Sequence, residues 1–175
     1  ALLSGLRSAP MLATPTLGSC AIDDDAAVAL STAPSARGSR LASLDLRSNR
    51  LGAVGAAALL RGLAELRSLA LFDNAAVGGS SDVQCLSSAL RASAASLHTL
   101  DLGACGLETA ALRALGAALR EGGAPGLQCL EVFGNGTASG DAWHEALVEL
   151  RATRPGLDVA WKDAPPEGER LGQKP

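Results

Sequence analysis

Aromatic side chains are almost missing from this 175-residue chain: two Trp, two Phe and no Tyr, 2% of all residues. Stacking platforms for bases or sugars are therefore scarce, and any core must be built from Leu, Val and Ala. Lysine is nearly missing too, with Arg supplying all the basic residues except Lys162 and Lys174. The formal charge is −3 and the arginines are spread out rather than gathered in a block, which argues against a dedicated nucleic-acid binder. No apolar run approaches the roughly 18 residues of a membrane-spanning helix; the longest, Leu51 to Leu60, is far too short. Cysteine is sparse as well. Cys20, Cys85, Cys105 and Cys129 have neither CxxC spacing nor a nearby His, so a disulfide framework is not expected and a reducing intracellular compartment, cytoplasm or organelle interior, is. What remains, 47% apolar and 19% charged, fits one globular domain or compact array.

The residues that carry catalysis do not converge in the sequence. His98 and His144 stand in different segments without partners at metal-ligand or dyad spacing. Asp23-Asp24-Asp25 precedes the apolar stretch Ala26 to Leu30 and reads as acids near a helix start rather than a magnesium site. The glycine-rich stretches Val77 to Ser80 and Gly122 to Gly126 lack the arrangement that cradles a phosphate. Asn135-Gly136-Thr137 matches the N-glycosylation triplet, but Asn135 is better explained by the repeat below. We expect no catalytic residue, metal, cofactor or enzymatic activity.

What is present is a repeat. Leu41-Ala-Ser-Leu44-Asp-Leu46-Arg-Ser-Asn49-Arg-Leu51 matches Leu97-His-Thr-Leu100-Asp-Leu102-Gly-Ala-Cys105-Gly-Leu107 at every apolar slot. Further copies run through Leu66, Leu69, Leu71 and Asn74, and through Leu127, Leu130, Val132 and Asn135. A weaker copy begins at Leu12 and includes Leu17, Cys20 and Ile22. A partial one begins at Leu157, where Val159 and Trp161 leave the register open. Alternation such as Leu44/Leu46 is the period-two signature of a short strand with one buried face. The segments between predict helices over Val54 to Leu63, Ser81 to Ser93, Glu108 to Arg120 and Asp141 to Thr153; Leu112, Leu115 and Leu119 form one apolar stripe. Small residues such as Ala56 to Ala58 let neighbouring helices approach, and Trp143 and Trp161 read as capping or core residues. The array is expected over 1–161, opening on a helix tail (Leu2, Leu3, Leu6, stopped by Pro10) that suggests a fragment or processed form, and closing on an extended tail over 162–175.

This pattern resembles the leucine-rich repeat family in its long, ribonuclease-inhibitor-like subtype. The resemblance implies an α/β solenoid, a short horseshoe arc with parallel strands on the concave face and helices on the convex face. It also implies a structural turn ladder at Cys20, Asn49, Asn74, Cys105 and Asn135, where Asn or its usual substitute Cys bonds to neighbouring turn backbone. Its functional expectation is a non-catalytic module that presents a curved strand wall to a protein partner, the arrangement most such proteins use.

With leucines and ladder residues assigned to the interior, the positions between them face the concave surface. One column reads Thr16, Asp45, Ala70, Asp101, Glu131; the next reads Gly18, Arg47, Phe72, Gly103, Phe133; a third reads Thr14, Ser43, Ser68, Thr99, Cys129. The expected contact set is Asp45, Asp101, Glu131, Phe72 and Phe133, with Arg47 and His98 at its edge. An exposed Phe pair beside acids suits a partner bringing an Arg or Lys and an apolar anchor. Alternatively the phenylalanines pack on their own loops and the acids only solubilise the wall. Two other functions fit the same architecture: a structural accessory subunit held in a large assembly through convex face, edges and tail, and a regulator of a small GTPase.

Overall fold

Among the described residues, five short strands and five helices alternate. The computed structural model describes residues 15–32, 41–79, 83–93, 95–135 and 140–161. The expected opening helix, Leu12, Thr14, Ser81 and the tail 162–175 lie outside those residues. The order is α1 (Asp24–Thr32), β1 (Ser43–Asp45), α2 (Ala53–Gly62), β2 (Ser68–Ala70), α3 (Val83–Ala92), β3 (Thr99–Asp101), α4 (Thr109–Arg120), β4 (Cys129–Glu131), α5 (Gly140–Ala152) and β5 (Asp158–Ala160). All strands pair in parallel in sequence order, and an isolated bridge from Thr16 to Asp45 adds one residue of an earlier repeat. The register that Trp161 left open is settled by the pairing of Leu130 with Val159 and of Glu131 with Ala160.

Each repeat begins with a leucine that packs inward, followed by two alternating strand apolars. Leu44, Leu69, Leu100 and Leu130 are at most 1% exposed, and Leu46, Leu71, Leu102 and Val132 continue the same buried rows. Helix apolars such as Leu59, Leu90, Leu112, Leu115 and Leu147 complete one continuous core between sheet and helices. A fully buried leucine contributes about 1.5–3 kcal/mol, so these rows carry most of the fold's stabilisation. Consecutive helices pack side by side, Ala53, Ala56 and Ala57 lying buried where they meet. Helices need about 8–10 Å between axes and strands about 4.8 Å, so stacking bends the array toward its strands.

The turn ladder ties each strand exit to its neighbour. Asn74 Nδ2 donates to the carbonyls of Leu46 (3.0 Å) and Leu71 (2.8 Å), while its Oδ1 accepts from Leu51 N (3.0 Å). Asn49 repeats this with Leu17, Leu46 and Ile22, and Asn135 with Leu102, Val132 and Leu107. A buried amide left without partners costs about 1–3 kcal/mol, so the row is stable because each member satisfies the next. Cys105 keeps its place in the row, its thiol donating to Leu71 O at 3.1 Å. Cys20 departs from the expected buried row: it is exposed, and its thiol turns to the Gly18 carbonyl of its own turn. The residue before each ladder position, Ser19, Ser48, Asp73, Ala104 and Gly134, adopts positive φ between 49° and 68°. Four of the five are not glycine, so the turn is imposed by the ladder bonds rather than by residues that favour it.

Candidate protein-binding wall

The three expected columns exist. Asp45, Ala70, Asp101, Glu131 and Ala160 stand side by side in one register, and Ser43, Ser68, Thr99, Cys129 and Asp158 in another. The acids, however, are not equivalent. Asp45 Oδ1 accepts the Arg47 backbone N–H (3.1 Å) and Nε (2.9 Å), and its Oδ2 accepts Arg47 Nη2 at 2.6 Å. Asp101 Oδ1 accepts the equivalent backbone N–H, that of Gly103, at 2.8 Å. The same local turn thus closes two strand exits. Asp101 is only 5% exposed, so the expectation that it offers an open contact is corrected: its carboxylate holds the strand exit. Asp45 and Arg47 remain partly accessible as a paired unit, at 19% and 32%. The bond to Asp45 favours the charged guanidinium of Arg47, and the charges of Asp101 and Glu131 add to it, holding Arg47 above its ordinary pKa. Glu131 is half-buried beside Asp101.

The phenylalanines do not stand as a fully exposed pair, because they pack on each other. Phe72 and Phe133 belong to repeats two apart, yet their ring centroids lie 5.5 Å from each other at a 32° tilt. The repeat between them makes this possible because its residue in that column is Gly103. A Cβ there would sit 2.8 Å from the Phe133 ring and 2.9 Å from the Phe72 ring. Phe133 is buried at 6% exposure, whereas Phe72 stays half-buried and offers the accessible part of the pair. The signal was in the sequence: a lone glycine between the only two phenylalanines in one column.

His98 is half-buried and its Nδ1 meets the Ser96 carbonyl; it precedes β3 at the edge of the wall. Cys129, half-buried in the flanking column, has its thiol pushed up to about 11 by burial, with the charges of Glu131, Asp158 and Asp101 adding to the effect. Burial pushes Cys105 to about 12. Both thiols are therefore neutral at physiological pH and poor nucleophiles. Among the described residues no three His, Cys, Asp or Glu side chains gather as metal ligands. Trp143 and Trp161 pack against the core at the last repeat, with exposed His144 edge-on to Trp161 at 5.7 Å.

Two further residues position the array and escaped sequence reasoning. Asp24 reaches out of α1 to cap the next repeat's helix, its Oδ1 accepting from Gly52 N (2.7 Å) and Gly55 N (3.0 Å). Gly52 and Gly55 leave the room: a Cβ on Gly55 would lie 2.4 Å from that oxygen. Of the acidic triplet, Asp23 serves its own helix start by accepting from Ala26 N. At the other end of a helix, Arg154 donates to the carbonyls of Leu119, Gly123 and Ala124, closing the last turn of α4 and its exit. Neither long-range cap has a sequence signature, because donor and acceptor are about thirty residues apart.

Residues 41–60, spanning β1 and most of α2, match the family model described as Leucine Rich repeat. The fold is a leucine-rich repeat solenoid. No curated protein sequence matches the chain. The leucine-rich repeat match suggests a protein–protein interaction module. Among the described residues no helix is long and apolar enough to cross a membrane.

Proposed function

We propose that the strand wall is the partner-binding face, and that it accepts a protein segment carrying an arginine or lysine next to an apolar anchor. One observation carries this reading: the half-buried Phe72, seated on Phe133 through the gap at Gly103, lies on the same wall as Asp45, Asp101 and Glu131. An apolar anchor gains most on a surface that is already ordered, and the ring pair supplies that order before binding. The acids outnumber Arg47 in these columns, so the wall favours a cation beside the anchor. Asp45, Arg47 and Glu131 form the accessible polar rim, with His98 at its border; Asp101 and Phe133 support from below. The subtype resemblance to ribonuclease-inhibitor-like repeats accords with a wall-based mode, since helices stacked behind a ribbon leave the ribbon open.

The test is residue-resolved crosslinking in native extract with the parent chain, Phe72→Ala and Glu131→Lys. Crosslinks on β1 to β4 that fall several-fold in both variants, each still showing a cooperative thermal transition, are the expected result. Crosslinks confined to the helices, unchanged in both variants, would overturn it and favour an accessory subunit embedded through its convex face.

A further inference from the structure

Among the described residues the two rims of the solenoid carry opposite charge, and they use it differently. At the rim where strands end and helices begin stand Asp23, Asp24, Asp25, Asp73, Glu108 and Asp141, against Arg47 and Arg50. At the rim where helices end and strands begin stand Arg61, Arg67, Arg91, Arg120, Arg151 and Arg154, against Glu65, Glu121 and Asp158. Complementing helix dipoles explains part of this separation, since α2 to α5 each hold one arginine in the last turn. It does not explain Arg67, which lies outside any helix, just ahead of β2.

The side-chain partners sharpen the contrast. On the acidic rim Asp23 and Asp24 are engaged as helix caps. On the basic rim Arg154 closes α4, Arg61 reaches the Cys85 carbonyl, and Arg91 pairs with Glu121. The side chains of Arg67, Arg120 and Arg151 are all exposed and make no hydrogen bond or close ion pair among the described residues, although Arg120 lies near enough to Glu121 to favour its charged form. They belong to three different repeats, so they form a spaced row rather than one cluster.

We infer that this basic rim is a second docking surface, separate from the strand wall, for an acidic segment of a protein partner. Guanidinium forks fit carboxylates in bidentate pairs, and exposed arginines can form them without giving up an internal bond. Successive helices lie about 8–10 Å apart. Duplex DNA presents a charge about every 1.7 Å, far denser than this row. Glu65, Glu121 and Asp158 among the arginines further disfavour a continuous polyanion, while aspartates and glutamates on a protein can be spaced to avoid them.

The probe is a fluorescein-labelled oligoglutamate peptide, titrated with the whole chain at about 50 mM salt and followed by anisotropy. The combined Arg67→Ala, Arg120→Ala and Arg151→Ala variant should bind about tenfold more weakly, three exposed ion pairs being lost. Arg67→Glu alone should lose about threefold and covers failure of the triple variant to fold. Phe72→Ala should bind the peptide like the parent, which separates this surface from the wall. Equal affinity of the arginine variants and the parent would overturn the inference. So would tighter binding of phosphatidylserine vesicles or a single-stranded oligonucleotide than of the peptide.

Discussion

The buried spine and the strand wall are made by the same strands, yet they obey opposite rules. Leu44, Leu69, Leu100 and Leu130 repeat without change, and every one is sealed from water. One residue further on, the outward column runs Asp45, Ala70, Asp101, Glu131, Ala160. The spine must be uniform because each repeat buries its face only against the next. The wall is released from that demand, and its variation is where a partner can be distinguished. The wall nevertheless has an interior of its own, since Asp101 and Phe133 are as enclosed as many core residues.

Substitutions can break this contrast in graded steps. Leu100→Asp places an unpaired charge in the spine and should cost more than about 5 kcal/mol, seen as loss of the cooperative denaturation transition. Asn74→Ala removes a buried amide that serves four backbone groups; denaturant titration should show a loss of about 3 kcal/mol. Gly103→Val forces the two rings apart from the wall side and should cost about 1–2 kcal/mol, with loss of the Phe72–Phe133 ring contacts in nuclear Overhauser spectra. The smallest effect separates two cysteines, one in each region. Cys105 and Cys129 have folded pKa values of about 12 and about 11, above the ordinary value of 9.0, so the folded state keeps protons that the unfolded chain loses. Their contribution to stability is present below pH 9 and falls as pH rises toward those values. Iodoacetamide at neutral pH should accordingly label exposed Cys20 first, Cys129 slowly, and Cys105 only on unfolding.

The regular part of this molecule was readable because it repeats. Leucine spacing gave the strands, their order and the ladder positions, and the in-register pairing of Leu69 with Leu100 is what that spacing demands. What escaped were interactions that leave the repeat. Alternation assigns Asp101 to the outward face but does not reveal that its carboxylate folds back onto Gly103 N. Column placement joined Phe72 and Phe133 on paper without showing that the rings meet across an empty position. The caps from Asp24 and Arg154 depend on where two distant turns come to rest, and residue type alone carries no trace of that. The helix bounds differed by only a residue where both could be compared, as in Ala53–Gly62 against the expected Val54 to Leu63.

Solenoids ordinarily come apart one unit at a time, because every unit touches only its immediate neighbours. The phenylalanine bridge breaks that independence. Peeling the fourth strand away from the third also strips a ring from the second, which adds a coupling of about 0.5–1.5 kcal/mol between units that do not touch through their strands.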